Sequence, residues 1–129
     1  LVMYSEYLIA SQETTADIFE EFERKVSEAK KDSQENRNKR LKKANVKPVK
    51  TSVIVNVYDR NPDVVVEVLF RANGNCEHCN KTAPFIRKSD NTPYLEVHHR
   101  TPLSKGGDDT IENAEALCPN CHREKHYGL

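Results

Sequence analysis

The stretch that decides the fold is residues 112–126, which read ENAEALCPNCHREKH. In it a short apolar run leads into a Cys-x-x-Cys pair, Cys118-Pro-Asn-Cys121, and then into two histidines, His122 and His126. Proline is favoured in the first turn of a helix, and residues four apart lie on one helical face. The pattern therefore predicts a strand, a metal-binding turn and a final helix with both histidines on one side.

A second Cys-x-x-Cys pair, Cys76-Glu-His-Cys79, lies upstream, and the two pairs contain all four cysteines of the chain. Four thiolates in two closely spaced pairs suit tetrahedral zinc. Redox chemistry and paired disulfides are alternatives, but the α/β pattern of redox proteins is absent and the cysteine usage indicates a reducing compartment. His78 could replace a cysteine, although we expect it to face solvent. We predict one structural zinc on Cys76, Cys79, Cys118 and Cys121.

Between the two pairs, residues 94–99 read YLEVHH and alternate as a strand does. A regular strand would send His98 and His99 to opposite sides, so that one could bind a metal ion while the other works elsewhere. Residues 100–113 contain Pro102 and a Gly-Gly pair and predict a loop, and residues 115–118 predict a second short strand. The final helix is expected to end at Gly128.

Upstream of the cysteines, residues 12–43 have the composition of one long solvated helix. Thr14-x-x-Asp17 is a possible capping box at its start. A narrow apolar stripe follows at helical spacing, and we interpret it as a face that docks on the domain or on a partner helix. Its members are Ile18, Phe22, Val26 and Ala29.

Charge is segregated along the chain although the formal net charge is zero. Residues 1–35 carry nine acids and four bases, and residues 36–50 carry seven bases and no acid. The basic segment looks like a linker, with Pro48 ending any helix. It could follow DNA phosphates, because neutralising a phosphate releases condensed counterions, or it could be only a soluble connector.

Residues 51–58 are rich in β-branched side chains and predict a strand. Asn61-Pro-Asp63 then provides an N-cap, a first-turn proline and a first-turn acid, which favours a short helix that ends at Gly74. Three consecutive valines from Val64 make a buried strand the competing interpretation.

Length and composition limit the size of the core. With 129 residues, 36% hydrophobic and 31% charged, the chain supports one domain with a modest core, or a small domain with an appendage. We expect no membrane span and no signal peptide, and hence a cytoplasmic location. The chain begins at Leu1 rather than Met, as a piece of a longer protein would.

The chain resembles the HNH endonuclease family, also called ββα-metal or His-Me finger nucleases. The resemblance lies in residues 95–107, LEVHHRTPLSKGG, and in residues 112–126 quoted above. The stretch RNPDVV at residues 60–65 is similar to the lead-in of McrA-like modified-DNA restriction nucleases. Residues 59–129 carry the resemblance, and the first fifty residues lie outside it.

The resemblance implies a role for five residues by position. His98 matches the first metal ligand, although many family members have Asp there, and His99 matches the general base. Asn113 matches the asparagine that holds the base and its loop. His122 matches the closing metal histidine, and His126 the additional metal histidine of the nuclease colicins.

The chemistry of phosphodiester hydrolysis suits those roles. A neutral imidazole can take a proton from water near pH 7, and a divalent ion can relieve charge on the phosphate. An imidazole-rich shell favours Mn²⁺, Ni²⁺, Co²⁺ or Zn²⁺ over Mg²⁺. Arg100 departs from the aliphatic residue common after the paired histidines, and it could contact phosphate or face solvent.

We therefore predict an α+β fold in which a zinc-stapled ββα-metal (HNH) core, residues 51–129, follows a helical and basic extension, residues 1–50. The predicted function is a metal-dependent DNA endonuclease, the catalytic part of a restriction-type enzyme, with DNA as partner. Two alternatives remain, a non-catalytic zinc-dependent DNA-binding module and a nuclease that acts on RNA. A homodimer that pairs through residues 12–43 is also open.

Overall fold

The computed structural model describes residues 13–129, which fall into two compact units that divide between Asn56 and Val57. Four α-helices and one two-stranded antiparallel sheet make up this part of the chain. The predicted α+β class is confirmed. Residues 1–12, which belong to the predicted extension, lie outside the described residues. Among the helices described, none has the length and apolar character needed to cross a bilayer.

The N-terminal unit contains two helices, α1 (Glu13–Lys31) and α2 (Gln34–Lys43). The single long helix predicted for residues 12–43 is therefore wrong. Ser33 caps α2, since its Oγ accepts a hydrogen bond from the backbone N–H of Asn36 at 3.0 Å. The Asp32 carboxylate in turn accepts from the backbone N–H of Ser33 at 2.8 Å. Both side chains bond to backbone N–H groups that lack a helical partner only where a new helix begins. These local capping bonds therefore break the helix, although the composition of residues 12–43 favours a continuous one.

The ends of the predicted elements also differ in this unit. Helix α1 is described from Glu13, so Thr14 lies within its bounds. The side chain of Thr14, the first residue of the predicted capping box, lies outside what the structure describes. Of the predicted stripe, Phe22 is 64% exposed and Val26 is 37% exposed. The stripe is thus largely open to solvent in the described residues.

The basic segment is helical as far as Lys43, and the chain is irregular from residue 44 to residue 61 apart from one bridge residue, Val55. The strand predicted for residues 51–58 is wrong. The side chains of those residues are exposed, and β-branched residues favour strands mainly where they pack against neighbours on a sheet.

The C-terminal unit begins with helix α3 (Pro62–Ala72), as the capping pattern predicted. Asn61 Oδ1 accepts from the backbone N–H of Asp63 at 2.9 Å, and Asn73 and Gly74 end the helix with φ angles of 50° and 82°. The competing buried strand is wrong. Instead α3 buries one helical face, which comprises Val64, Val68 and Ala72, while Val66 is 44% exposed.

Strands β1 (Glu96–His99) and β2 (Ala114–Leu117) form the sheet, with Val97 opposite Ala116 and His99 opposite Ala114. Both strands were predicted, the second displaced by one residue. Among the described residues, the core around them is small and aliphatic, and two cysteines belong to it. Its buried members are Val64, Val68, Ala72, Cys76, Leu95, Val97, Ala114, Ala116, Leu117 and Cys121.

Helix α4 (Pro119–Tyr127) follows β2 directly and ends at Gly128, as predicted. The loop between the strands contains a 3₁₀ turn, Leu103–Lys105, and Gly106 follows it with φ of 82°. Gly107 packs so closely that a Cβ there would collide with the carbonyl oxygen of Thr101. The Gly-Gly pair therefore permits a compact loop between the two histidine-bearing segments.

Arg71 connects α3 to the turn that contains Cys76 and Cys79 and to strand β2. Its guanidinium donates to both carboxylate oxygens of Glu77 at 2.8 Å, and to the carbonyl oxygens of Ile111 at 2.9 Å and Ala114 at 2.7 Å. Glu77 also accepts from the backbone N–H of Ala116 at 2.9 Å. Arg71 keeps the pKa of Glu77 below its usual range. Three separate segments are thus joined through one ion pair.

We expect Arg71→Met to destabilise the C-terminal unit by about 1–3 kcal/mol, because the change keeps the aliphatic stem but leaves Glu77 and two carbonyl groups without their charged donor. Urea denaturation at neutral pH with zinc present would measure the loss. Lys88→Met, at an exposed position, is the matched control. Equal stabilities for the two variants would contradict the linking role.

Candidate metal centres and active site

The four cysteines converge. Cys76 and Cys79 lie in the turn after α3, Cys118 follows β2, and Cys121 lies in the first turn of α4. Their Sγ atoms all lie within 4.8 Å of one another, and all four are free cysteines. This arrangement could hold one ion in a tetrahedral thiolate shell.

Backbone N–H groups support negative charge on the sulfurs. The N–H of His78 donates to Cys76 Sγ at 3.4 Å, and the N–H of Cys121 donates to Cys118 Sγ at 3.4 Å. Burial alone would raise the pKa of Cys76, but nearby backbone N–H groups outweigh it and lower the pKa to about 6. Burial and the surrounding sulfurs raise the pKa of Cys121. A dication would offset this crowding of thiolates, so the donor set fits a metal site.

Three imidazoles form a second cluster. His98 lies on β1, His122 and His126 lie on α4, and one ring nitrogen of each falls within 4.8 Å of the others. The ring centroids are 4.9 to 5.0 Å apart, and Nε2 of His122 lies 3.1 Å from Nε2 of His126. Converging imidazole nitrogens at such distances could hold a transition-metal ion. The spacing of four residues on α4 places both helical histidines beside the strand.

Glu96 orients this cluster. Its Oε1 accepts from Nδ1 of His122 at 2.9 Å, and its Oε2 accepts from the hydroxyl of Tyr94 at 2.6 Å. Burial alone would raise the pKa of Glu96, but the bonds with His122 and Tyr94 outweigh it and lower the pKa. Because Nδ1 of His122 carries the proton, its Nε2 presents a lone pair to the cluster.

His99 occupies a different environment from its neighbour. It is fully buried, its Nε2 lies 2.8 Å from Asp109 Oδ1, and its Nδ1 lies 3.1 Å from the Arg60 guanidinium. The strand alternation thus separates His98 from His99, as the sequence predicted.

Asn113 braces the loop between the strands. Its side-chain N–H₂ group donates to the carbonyl oxygens of Thr101 at 3.0 Å and Asp108 at 2.7 Å, and its Oδ1 accepts from the backbone N–H of Thr101 at 3.0 Å. The loop that carries Asp109 is therefore tied to the start of β2.

Arg100 contacts acidic and carbonyl groups of the same region. Its Nε donates to Glu115 at 3.0 Å and its guanidinium donates to the carbonyl oxygen of Glu112 at 2.7 Å. The side chain is still 55% exposed, so part of the guanidinium faces solvent.

Sequence reasoning missed Arg60, Glu96 and Asp109. Glu96 could have been found, because it precedes His98 by two residues and so lies on the same strand face. Arg60 and Asp109 are separated from His99 by 39 and 10 positions in the sequence, and no local sequence pattern predicts such contacts.

Comparison with known proteins gives one family match and two relatives. Residues 76–128 match the HNH endonuclease family. The chain is 54% identical over 81 residues to the type IV methyl-directed restriction enzyme EcoKMcrA of Escherichia coli K12, which covers 63% of this chain and 29% of that enzyme. It is also 48% identical over 31 residues to anaredoxin of Nostoc sp., which covers 24% of this chain and 41% of that protein.

A solved structure is also similar, that of the type IV phosphorothioation-dependent restriction endonuclease ScoMcrA. It shares 39% identity with a TM-score of 0.49 and covers 54% of this chain and 14% of that one. The chain thus spans less than half the length of each of these three proteins. The resemblance expected from the two cysteine pairs and the histidines is confirmed: the C-terminal part of this chain, residues 76–128, matches the HNH endonuclease family.

Proposed function

We propose that this chain is a metal-dependent DNA endonuclease and the catalytic part of a restriction-type enzyme. The observation that carries the proposal is the pair of adjacent histidines on β1: His98 joins a cluster of three imidazoles, and His99 contacts a carboxylate. The first arrangement suits a metal ion and the second suits a general base. The restriction activity named for the Escherichia coli relative supports DNA as the substrate.

The first part of the proposal is a structural zinc on Cys76, Cys79, Cys118 and Cys121. The convergence of all four sulfurs within 4.8 Å supports it. A structural zinc contributes about 10–16 kcal/mol at neutral pH, as much as the whole stability of a small domain.

The second part is a catalytic divalent cation on His98, His122 and His126. When bound, the ion would relieve charge on the scissile phosphate and stabilise the departing 3′ oxygen. Imidazole nitrogens favour Mn²⁺, Ni²⁺, Co²⁺ or Zn²⁺ over Mg²⁺, which prefers oxygen ligands.

The third part is His99 as the general base. Its neutral ring takes a proton from water, and the resulting hydroxide attacks the phosphorus in line, which leaves 5′-phosphate and 3′-hydroxyl ends. His99 is fully buried beside Arg60, so this guanidinium has to leave the ring first. An anionic phosphate is a stronger acceptor than a neutral imidazole nitrogen, and DNA would therefore draw Arg60 away.

Two further residues support the site. Asn113 is a positioning residue, because its amide bridges Thr101 and Asp108 and so fixes the loop beside His99. Arg100 remains a candidate for phosphate contact through the exposed part of its guanidinium.

Domain limits, assembly and location remain predictions. We propose residues 51–129 as the nuclease domain and residues 1–50 as the extension. Pairing of two chains through α1 is supported by the exposure of Phe19 and Phe22, at 52% and 64%. A cytoplasmic location is supported by the four free cysteines.

Plasmid cleavage tests the proposal. We expect the zinc-loaded chain to nick supercoiled plasmid in the presence of Mn²⁺ or Ni²⁺ and not after chelation. Methylated and unmethylated plasmid should be compared, together with single strands and RNA. Failure to cut any of these, with fold and metal content verified, would leave the zinc-dependent DNA-binding module as the better explanation.

His99→Ala should lower the cleavage rate about 10²- to 10⁴-fold, since removal of a general base has effects of that size. His78→Ala is the matched control, because His78 is an exposed histidine outside both clusters. Single-turnover cleavage at saturating Mn²⁺ measures both. An unchanged rate in His99→Ala would assign the base elsewhere.

Cys118→Ser should lose zinc and unfold the C-terminal unit, because the cluster joins the turn after α3 to β2 and α4. Metal content by mass spectrometry and thermal melting give the readout. His78→Ala should retain one zinc per chain, which also tests whether His78 serves as a ligand. A Cys118→Ser protein with full zinc content and an unchanged melting temperature would refute the site.

Glu96→Gln should weaken Mn²⁺ or Ni²⁺ binding at the three histidines about tenfold or more, because partners that orient metal histidines contribute that much affinity. Tyr94→Phe should weaken it less, since Glu96 still contacts His122. Calorimetric titration of zinc-loaded protein measures the affinity, with Glu124→Gln, exposed on α4, as control. Equal affinities in Glu96→Gln and the parent would remove Glu96 from the site.

A further inference from the structure

We infer that Asp109 is a positioning residue for His99: it holds the imidazole with the proton on Nε2, and Nδ1 is therefore the nitrogen that accepts the proton from water. The inference rests on the proposed function and specifies which tautomer its general base, His99, adopts. Asp109 does not touch the substrate in this scheme and acts only through His99.

The contact between the two side chains determines the position of the proton. Asp109 Oδ1 lies 2.8 Å from Nε2 of the fully buried His99. An ionised carboxylate only accepts hydrogen bonds, so Nε2 has to donate. Burial alone would raise the pKa of Asp109, but the backbone N–H of Asn61 and the His99 ring outweigh it and lower the pKa. The carboxyl group is therefore ionised at neutral pH.

The other side of the ring leads independently to the same tautomer. The Arg60 guanidinium lies 3.1 Å from Nδ1 of His99. A guanidinium only donates hydrogen bonds, so Nδ1 has to carry the lone pair. Both neighbours thus require a neutral ring with the proton on Nε2.

The carboxylate itself is fixed from two directions. Asp109 Oδ2 accepts from the backbone N–H of Asn61 at 2.6 Å, directly before α3. The preceding residue, Asp108, has its carbonyl oxygen held by Asn113 at 2.7 Å. Oδ1 is therefore the oxygen that remains for His99.

This geometry makes Asp109→Asn a sharp test. The backbone N–H of Asn61 requires an acceptor, so the new amide presents its oxygen there and its N–H₂ group to His99. Nε2 then has to accept and the proton moves to Nδ1, which displaces Arg60 because a side chain yields more easily than the backbone. With Nδ1 protonated, the base is lost. We expect kcat to fall about 10²- to 10⁴-fold while KM changes little.

Asp109→Ala separates this role from a structural one. The alanine variant removes the carboxylate but leaves Arg60 as a donor to Nδ1, so part of the productive tautomer survives. We therefore expect the isosteric asparagine variant to be slower than the alanine variant. A merely structural role would give the opposite order, because asparagine preserves the shape and the bond to Asn61. Glu67→Gln, which removes an exposed carboxylate on α3 that lies outside the site, should leave kcat unchanged.

Nitrogen-15 NMR of the histidine rings gives a readout that does not depend on cleavage. At about pH 8, where an ordinary imidazole is neutral, His99 of the zinc-loaded parent should show the proton on Nε2, and Asp109→Asn should move it to Nδ1. An unchanged tautomer in Asp109→Asn, or cleavage at the parental rate, would overturn the inference. If the parent cuts no nucleic acid the proposed function fails, and the NMR result still decides the role of Asp109.

Discussion

The convergence of four cysteine sulfurs is the constraint on which the rest of the C-terminal unit depends. Among the residues that the structure describes, the buried core is small and contains no aromatic residue, and Cys76 and Cys121 themselves belong to it. A core of this size supplies little net stability after chain entropy is counted. The sulfurs join three segments that the core alone holds weakly, namely the turn after α3, the end of β2 and the start of α4.

The position of the cysteines also determines the geometry of the histidines. Cys118 caps α4 and Cys121 lies in its first turn, directly before His122. Whatever fixes the sulfurs therefore fixes the start of α4 and, one and two turns later, the direction of His122 and His126. Since β1 pairs with β2, His98 is brought to the same helix. Stability and the three-imidazole cluster are thus coupled through one short helix.

Sequence reasoning succeeded where the signal is local. The N-cap and proline of α3, the alternation around His98 and the spacing of the histidines on α4 each act within a few residues, and the structure has each of them. It failed at Asp32 and Ser33, where a strong cap outweighed helical composition, and at residues 51–58, whose β-branched side chains are exposed and form no strand within the described part of the chain. The contacts of Arg60 and Asp109 with His99 depend on how α3 and the loop meet β1. Such contacts exist only after the chain has folded.

Two carboxylates act on two histidines in opposite senses. Glu96 meets Nδ1 of His122 and so leaves Nε2 for the imidazole cluster, whereas Asp109 meets Nε2 of His99 and leaves Nδ1. The two rings have the same chemistry, and the nitrogen that works is selected by where the acceptor lies. A neutral imidazole in water exchanges between two tautomers. Each carboxylate stabilises the tautomer whose N–H group faces it, and it does so before substrate or metal binds. In the proposed site, the nitrogen that is available on His122 and on His99 therefore depends on acceptors outside the histidine motif, so the motif alone predicts candidate residues but not which atom of each.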